Sequence, residues 1–171
     1  MKEIEYKKDM GIEIERKYLV DTEKWNKSFH GDKYYLRQGY ISTDLNKIIR
    51  VRLIDRKGYL TIKGITKDFS RLEFEYQIPE KDAKELLDKF CVSEISKVRY
   101  KVLYKEKVWE VDEFLGSNLD LIVAEIELSN ESESFDLPDW VYKEVTGDEK
   151  YYNSNLSINP YKNWKDEKVG R

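Results

Sequence analysis

The chain predicts a mainly β fold of the α+β class: an eight-stranded antiparallel β-barrel with a charged interior and helices packed outside. Three observations carry this expectation. Eight segments, 12–20, 34–41, 48–54, 59–64, 71–78, 95–103, 107–114 and 120–128, alternate their side chains at the strand period of two. Short links join most neighbours, so consecutive strands pair antiparallel. The polar face of strand after strand is ionisable rather than rich in Ser, Thr and Gln. Closure into a barrel removes the exposed edges of such a sheet.

The first strand, in the run IEIERKYLV, sets Glu13, Glu15 and Lys17 side by side on one face. A short helix follows over residues 22–27, opened by Asp21 or Thr22 as N-cap. Asp55, Arg56, Lys57 and Gly58 turn the third strand into the fourth, and Lys105 and Glu106 turn the sixth into the seventh. Gly116, Ser117 and Asn118 follow the seventh. The clearest helix runs over 79–90, with Pro79 in its first turn and Ala83, Leu86, Leu87 and Phe90 at helical spacing. A helix is expected from 138 to about 145, and a further turn over 151–156. Residues 1–10 carry no pattern joined to the strand and form an N-terminal extension, with Met10 an alternative start. Residues 11–171 form a single domain, since no linker or repeat divides them.

Composition excludes several classes. Charged residues make up 38% of the 171 residues, against roughly 25% in an average domain, yet the net charge is only -3. That balance argues against a disordered tail and against a nucleic-acid-coating surface. One cysteine, Cys91, allows no intrachain disulfide, and one histidine, His30, rules out a histidine-rich zinc site. Both read as structural or surface residues, as Trp109 and Trp140 read as exterior packing. Any metal is held by oxygen, which favours Mg²⁺, Mn²⁺ or Ca²⁺. No apolar stretch approaches the ~20 residues of a membrane span, and no signal-peptide core is visible. The chain is expected to be soluble and cytoplasmic, without a membrane or nucleic-acid partner; its oligomeric state, a homodimer included, stays open.

The charged faces point to chemistry. Arg50 and Arg52 share a face of the third strand, Thr61 and Lys63 of the fourth, and Arg71, Glu73 and Glu75 of the fifth. Lys97, Arg99 and Lys101 follow on the sixth, Glu110 and Asp112 on the seventh, and Glu125 and Glu127 on the eighth. A solvated sheet face also alternates, but a surface tuned for solubility mixes its signs. Here cations dominate strands three, four and six, and acids dominate seven and eight. Lys17, Arg50, Arg52, Lys63, Lys97 and Arg99 lining one interior would repel by several kcal/mol per close pair at an effective dielectric near ~20. A polyphosphate supplies the missing counter-ions, with arginine gripping its oxygens bidentately. Glu13, Glu15, Glu125 and Glu127 offer hard oxygen ligands to a divalent cation that bridges to phosphate.

The ordered series of motifs resembles a known family. Glu13, Glu15 and Lys17 in an ExExK pattern look like the hallmark of CYTH domains, the triphosphate tunnel metalloenzymes. The likeness runs from about 12 to 157, through Gln38-Gly39-Tyr40, Arg50-Val51-Arg52, Leu60 to Lys63, Arg71-Leu72-Glu73-Phe74-Glu75, Lys97-Val98-Arg99-Tyr100, Trp109-Glu110-Val111-Asp112, Phe114-Leu115-Gly116, Glu125-Ile126-Glu127, Glu144-Val145-Thr146 and Tyr151 to Leu156. It is nearest to the bacterial inorganic tripolyphosphatases. The resemblance implies Mg²⁺ or Mn²⁺ on Glu13, Glu15, Glu125 and Glu127, and phosphates on Lys17, Arg50, Arg52, Lys63, Lys97 and Arg99. Glu73, Glu75, Glu110, Asp112 and Glu144 would be supporting tunnel acids. Lys97 and Tyr40 match a catalytic Tyr–Lys pair, with Tyr34 and Tyr35 as nearby competitors. The implied reaction is metal-dependent hydrolysis of inorganic tripolyphosphate to pyrophosphate and phosphate. Thiamine triphosphate hydrolysis, nucleoside triphosphate hydrolysis, ATP cyclisation and non-catalytic polyphosphate binding are the alternatives on the same tunnel.

Overall fold

Hairpins and one dominant helix organise the chain, as the period-two pattern requires. The computed structural model describes residues 14–44, 46–67, 70–130 and 132–165; the expected extension at 1–10 and Glu13 lie outside them. The strands are β1 (Ile14–Val20), β2 (Asp32–Asp44), β3 (Lys47–Ile54), β4 (Lys57–Lys67), β5 (Ser70–Ile78), β6 (Ser93–Tyr104), β7 (Lys107–Phe114), β8 (Ile122–Leu128) and β9 (Val141–Glu144). The helices are α1 (Thr22–Lys27), α2 (Glu80–Lys89) and α3 (Asn153–Ile158). All pairings are antiparallel, in the order β5-β4-β3-β2-β6-β7-β8-β1-β9.

The eight expected strands are present and the sheet is antiparallel; the charged series from Lys17 to Glu127 shares one face, while Arg16, Arg37 and Glu113 lie on the other. Two details differ. A ninth strand forms at Val141–Glu144, where a helix was expected, and the pairing ends at β5 and β9 rather than closing. Val141 and Tyr142 favour strand, and a segment this short cannot sustain an isolated helix. Pairing with β1, with Tyr18 opposite Glu144 and Val20 opposite Val141, satisfies its backbone instead. At the β6–β7 hairpin Lys105 and Glu106 have φ of 41° and 57°, the left-handed pair that a two-residue turn needs.

The convex face is mainly apolar and partly covered: α1 and α2 pack on it, while Ile62, Phe74 and Tyr76 of β4 and β5 stay exposed. Trp25 of α1 packs with Tyr18, Trp109 and Trp140, the Trp25 and Trp109 rings meeting Trp140 edge-on at 5.3 Å and 5.7 Å. Asp21 caps α1, accepting from the Lys24 N–H at 3.0 Å. His30 stacks on Trp25 at 3.9 Å, a packing role. In α2, Ala83 and Leu87 lie one turn apart and bury against Val51 and Leu53 of β3. Burial and then Glu94 push the Cys91 thiol up to about 11, so it is not a reactive thiolate at neutral pH.

Gly39 lets α2 and Cys91 approach β2. A Cβ there would meet Cys91 Sγ at 2.6 Å and Leu87 Cδ2 at 2.9 Å. Gly39→Ala is therefore expected to cost about 1–3 kcal/mol through overpacking. The check is the urea midpoint, which should fall at unchanged m-value; an unmoved midpoint would show that the helix yields freely.

The third helix does not join the other two outside. On the concave face, Leu19, Ile95, Phe114 and Val123 each sit two residues from a charged neighbour, Lys17, Lys97, Asp112 and Glu125. In antiparallel strands these alternating steps point toward the same end of the sheet. The four pack with Val145, Tyr151, Leu156 and Trp164 into one buried cluster. It forms an apolar floor on which α3 rests. Among the described residues no helix is long and apolar enough to cross a membrane.

Candidate active site

A cavity of about 1030 Å³ opens on the concave face. Its walls draw on every strand from β1 to β8, so the sheet curls around it. Glu15, Lys17, Tyr40, Arg50, Arg52, Lys63, Glu73, Glu75, Lys97, Arg99, Glu110, Glu125 and Glu127 all line it. Of the two tyrosine competitors, neither Tyr34 nor Tyr35 does. Asp112 lies beneath the wall, buried at 1% exposure. Glu144 is not brought in: it sits on β9, 3.7 Å from Arg16, and accepts from the Thr146 hydroxyl at 2.8 Å. That hydroxyl in turn accepts from the Lys17 backbone N–H, so Glu144 braces β1 from outside. The expected metal ligand Glu13 is outside the described residues.

The charges are more interleaved than a cationic wall facing an acidic one. Strand order sets β7 beside β6, so acids and cations alternate across that ladder. Lys97 Nζ reaches Asp112 at 2.5 Å. Arg99 takes Asp112 through Nε at 2.7 Å, Glu125 at 3.3 Å and Glu110 more closely. Lys17 pairs with Glu125 at 2.8 Å, and Lys63 with Glu73 at 2.8 Å. Burial works against the Lys17 and Arg99 charges, but the carboxylates outweigh it and both pKa values are raised. Burial pushes Lys97 down from the usual lysine value. It also opposes ionisation of Asp112, yet two cations converge on that carboxylate and hold its pKa down to about 2. The Asp112 carboxylate therefore stays ionised at neutral pH.

Arg50 and Arg52 are different. Both lean on one carboxylate, Glu75, each at 3.3 Å, and Glu75 also accepts from the Thr61 hydroxyl at 2.8 Å. The Nε–H groups of both arginines are buried without a hydrogen-bond partner, which is costly unless an acceptor arrives. Burial, then the Arg50 charge, lowers the Arg52 pKa, and Glu75 offsets them only in part. Two guanidiniums sharing one counter-ion leave a local positive excess shaped to bind oxygen anions.

The acids on β1 and β8 suit a hard cation. Glu15 stands directly opposite Glu127, and Lys17 opposite Glu125. Like charges facing each other across a ladder are destabilising, so the Glu15–Glu127 pair favours a cation between them. Among the described residues no group of three carboxylates is gathered tightly enough to hold a metal by itself. Their oxygens are hard donors of the kind a divalent cation takes.

Further residues belong to the cavity. Gln38 donates to the Tyr40 hydroxyl at 2.7 Å. Burial raises the Tyr40 pKa against the pull of Arg50, so the phenol stays protonated and can donate. Tyr152, Asn153 and Ser154, at the start of α3, also line the wall. Their motif was legible, but not that it turns inward.

This constellation has relatives. The CYTH domain model matches residues 11–157. The chain belongs to the CYTH family. An inorganic triphosphatase of Acetivibrio thermocellus is 50% identical over 158 residues, 92% of this chain and 100% of that protein. The crystal structure of the inorganic triphosphatase NE1496 superposes with a TM-score of 0.66 at 28% identity, covering 86% of this chain and 95% of that one.

Proposed function

We propose that this CYTH protein is a metal-dependent inorganic triphosphatase that hydrolyses tripolyphosphate to pyrophosphate and phosphate. The observation that carries the reading is the Arg50–Arg52 pair, sharing Glu75 and keeping two buried Nε–H donors unpaired. The identity to a protein named an inorganic triphosphatase supports it. In the reaction a water oxygen bonds to a phosphorus as the bridging P–O bond breaks, pyrophosphate leaves, and the proton lost by the water passes to product oxygen or solvent. Arg50 and Arg52 grip phosphate oxygens, and Lys17, Lys63 and Arg99 neutralise the remaining charge. Tyr40 and Lys97 reach the cavity from the neighbouring strands β2 and β6, and as donors they stabilise charge building on the reacting phosphate. Glu15, Glu125 and Glu127, with Glu13 as a further candidate, would hold Mg²⁺ or Mn²⁺, which would supply Lewis-acid neutralisation of phosphate charge.

The test gives purified protein tripolyphosphate, ATP and thiamine triphosphate with either metal. Phosphate, pyrophosphate and cyclic AMP are measured. Preferred turnover of tripolyphosphate is expected. Equal turnover of ATP would remove the substrate preference, and tight binding without turnover would leave a binding module. Arg52→Ala is expected to raise KM for tripolyphosphate about 10–100-fold, the loss of one charge-assisted bidentate contact. An unchanged KM would place the phosphates elsewhere.

A further inference from the structure

The ammonium of Lys97 has two hydrogen-bond acceptors, and the Phe114 ring lies 5.3 Å from Nζ. The lysine side chain is 1% exposed, and Asp112 Oδ2 on β7 accepts one N–H at 2.5 Å. Asn153 Oδ1, on the first residue of α3, stands 3.4 Å away on another side. Lysine offers three donors and no acceptor, so the Asn153 amide must turn its oxygen, not its nitrogen, toward Nζ. Helix α3 is itself pinned. Leu156 is buried in the apolar floor, and Ser157 Oγ meets Ser93 Oγ at 2.9 Å. Ser93 lies on β6, the strand that carries Lys97, so the helix and the lysine share one anchor. The residue before Asn153 contacts the other buried lysine, the Tyr152 ring lying 5.7 Å from Lys17 Nζ.

We propose that Asn153 is a positioning residue for Lys97: with Asp112 it fixes two N–H bonds of the ammonium, so that the third points into the cavity at the bound phosphate. The inference rests on the triphosphatase reading. Tetrahedral geometry supplies the mechanism, because fixing two of three N–H directions fixes the last. Without Asn153 the ammonium keeps its salt bridge but turns about the Cε–Nζ bond. Alignment of donors on the transition state is lost while charge is kept, which affects kcat more than KM.

A pH profile separates this from a packing role. The charged groups facing Lys97 are Asp112 on β7, Arg99 on β6 and Glu125 on β8. From β2, Leu36, Gln38 and the protonated Tyr40 line the same wall, and α3 brings only the neutral Asn153. Asn153→Ala removes an acceptor from the charged lysine, so the alkaline limb moves to lower pH by about half a unit. It should also lower kcat about 10-fold with KM within about 3-fold. Asn153→Asp adds a carboxylate, so the limb moves to higher pH. Asn155→Ala is the control: it removes a bond to the Glu149 carbonyl within the same segment and should leave the limb in place. Limbs unmoved, or moved the same way, in folded Asn153 variants would overturn the inference. The same limb is read in the pH dependence of tripolyphosphate affinity by calorimetry. A wild-type chain that binds but does not turn over would therefore defeat the triphosphatase reading and still leave Asn153 tested.

Discussion

Replacing Asp112 with Asn is expected to lower the melting temperature by roughly 10 °C and to reduce triphosphate turnover by about 100-fold or more. The cause is the burial of the pair. Asp112 and Lys97 are each 1% exposed, and Asp112 also holds Arg99 at 2.7 Å. Removing one partner of a buried ion pair leaves the other uncompensated, at a cost of about 3–5 kcal/mol. Here Lys97 loses the carboxylate it is paired with, while Arg99 falls back on Glu110 and Glu125. The pH dependence gives a second check. The folded pKa of about 2 lies below the ordinary 3.8, so the contribution is complete above the unfolded value and fades as pH falls from about 4 toward 2. The gap in melting temperature between wild type and variant should be constant from about pH 5 to 8 and close in acid. A gap that persists at pH 2 would mean that Asp112 stabilises by packing rather than by charge.

The strands and the identity of the cavity wall were legible because side-chain parity is local. Once β3 is a strand, Arg50 and Arg52 must share a face, and the same holds for Lys97 with Arg99 and for Glu125 with Glu127. What parity does not carry is which strand lies beside which. The sequence shows cations on the sixth strand and acids on the seventh as separate blocks. Pairing of β6 with β7 converts them into Lys97–Asp112 and Arg99–Glu110 contacts, and most of the cationic excess collapses onto Arg50 and Arg52. Glu144 stands outside the cavity for a related reason: its four-residue segment becomes a strand only through β1, more than 120 residues earlier. The floor was written in the chain all the same. Leu19, Ile95, Phe114 and Val123 interrupt the charged parity on strands β1, β6, β7 and β8, and they do so at the end where antiparallel directions converge. Alternation read strand by strand hides this, since each apolar residue looks like an ordinary strand terminus.

Chelation of divalent metal is expected to reduce turnover by about 1,000-fold or more, because several kcal/mol of phosphate-charge neutralisation is removed. Glu127→Gln tests whether the facing carboxylates are the reason. Glu15 and Glu127 oppose each other across the β1–β8 ladder, so metal-free wild type carries a like-charge pair that the variant lacks. The variant without metal should be more stable by about 0.2–1 kcal/mol. With metal the order reverses. Mn²⁺ raises the melting temperature of any state that binds it, and the variant, missing one hard oxygen, should gain less and need about 10-fold more metal for half-maximal turnover. These two stability changes have opposite signs and come from one substitution, which no general loss of folding can imitate. Equal stabilisation of both proteins by Mn²⁺ would move the metal away from Glu127, toward the Glu73 and Glu75 wall of β5, where Lys63, Arg50 and Arg52 already occupy the carboxylates.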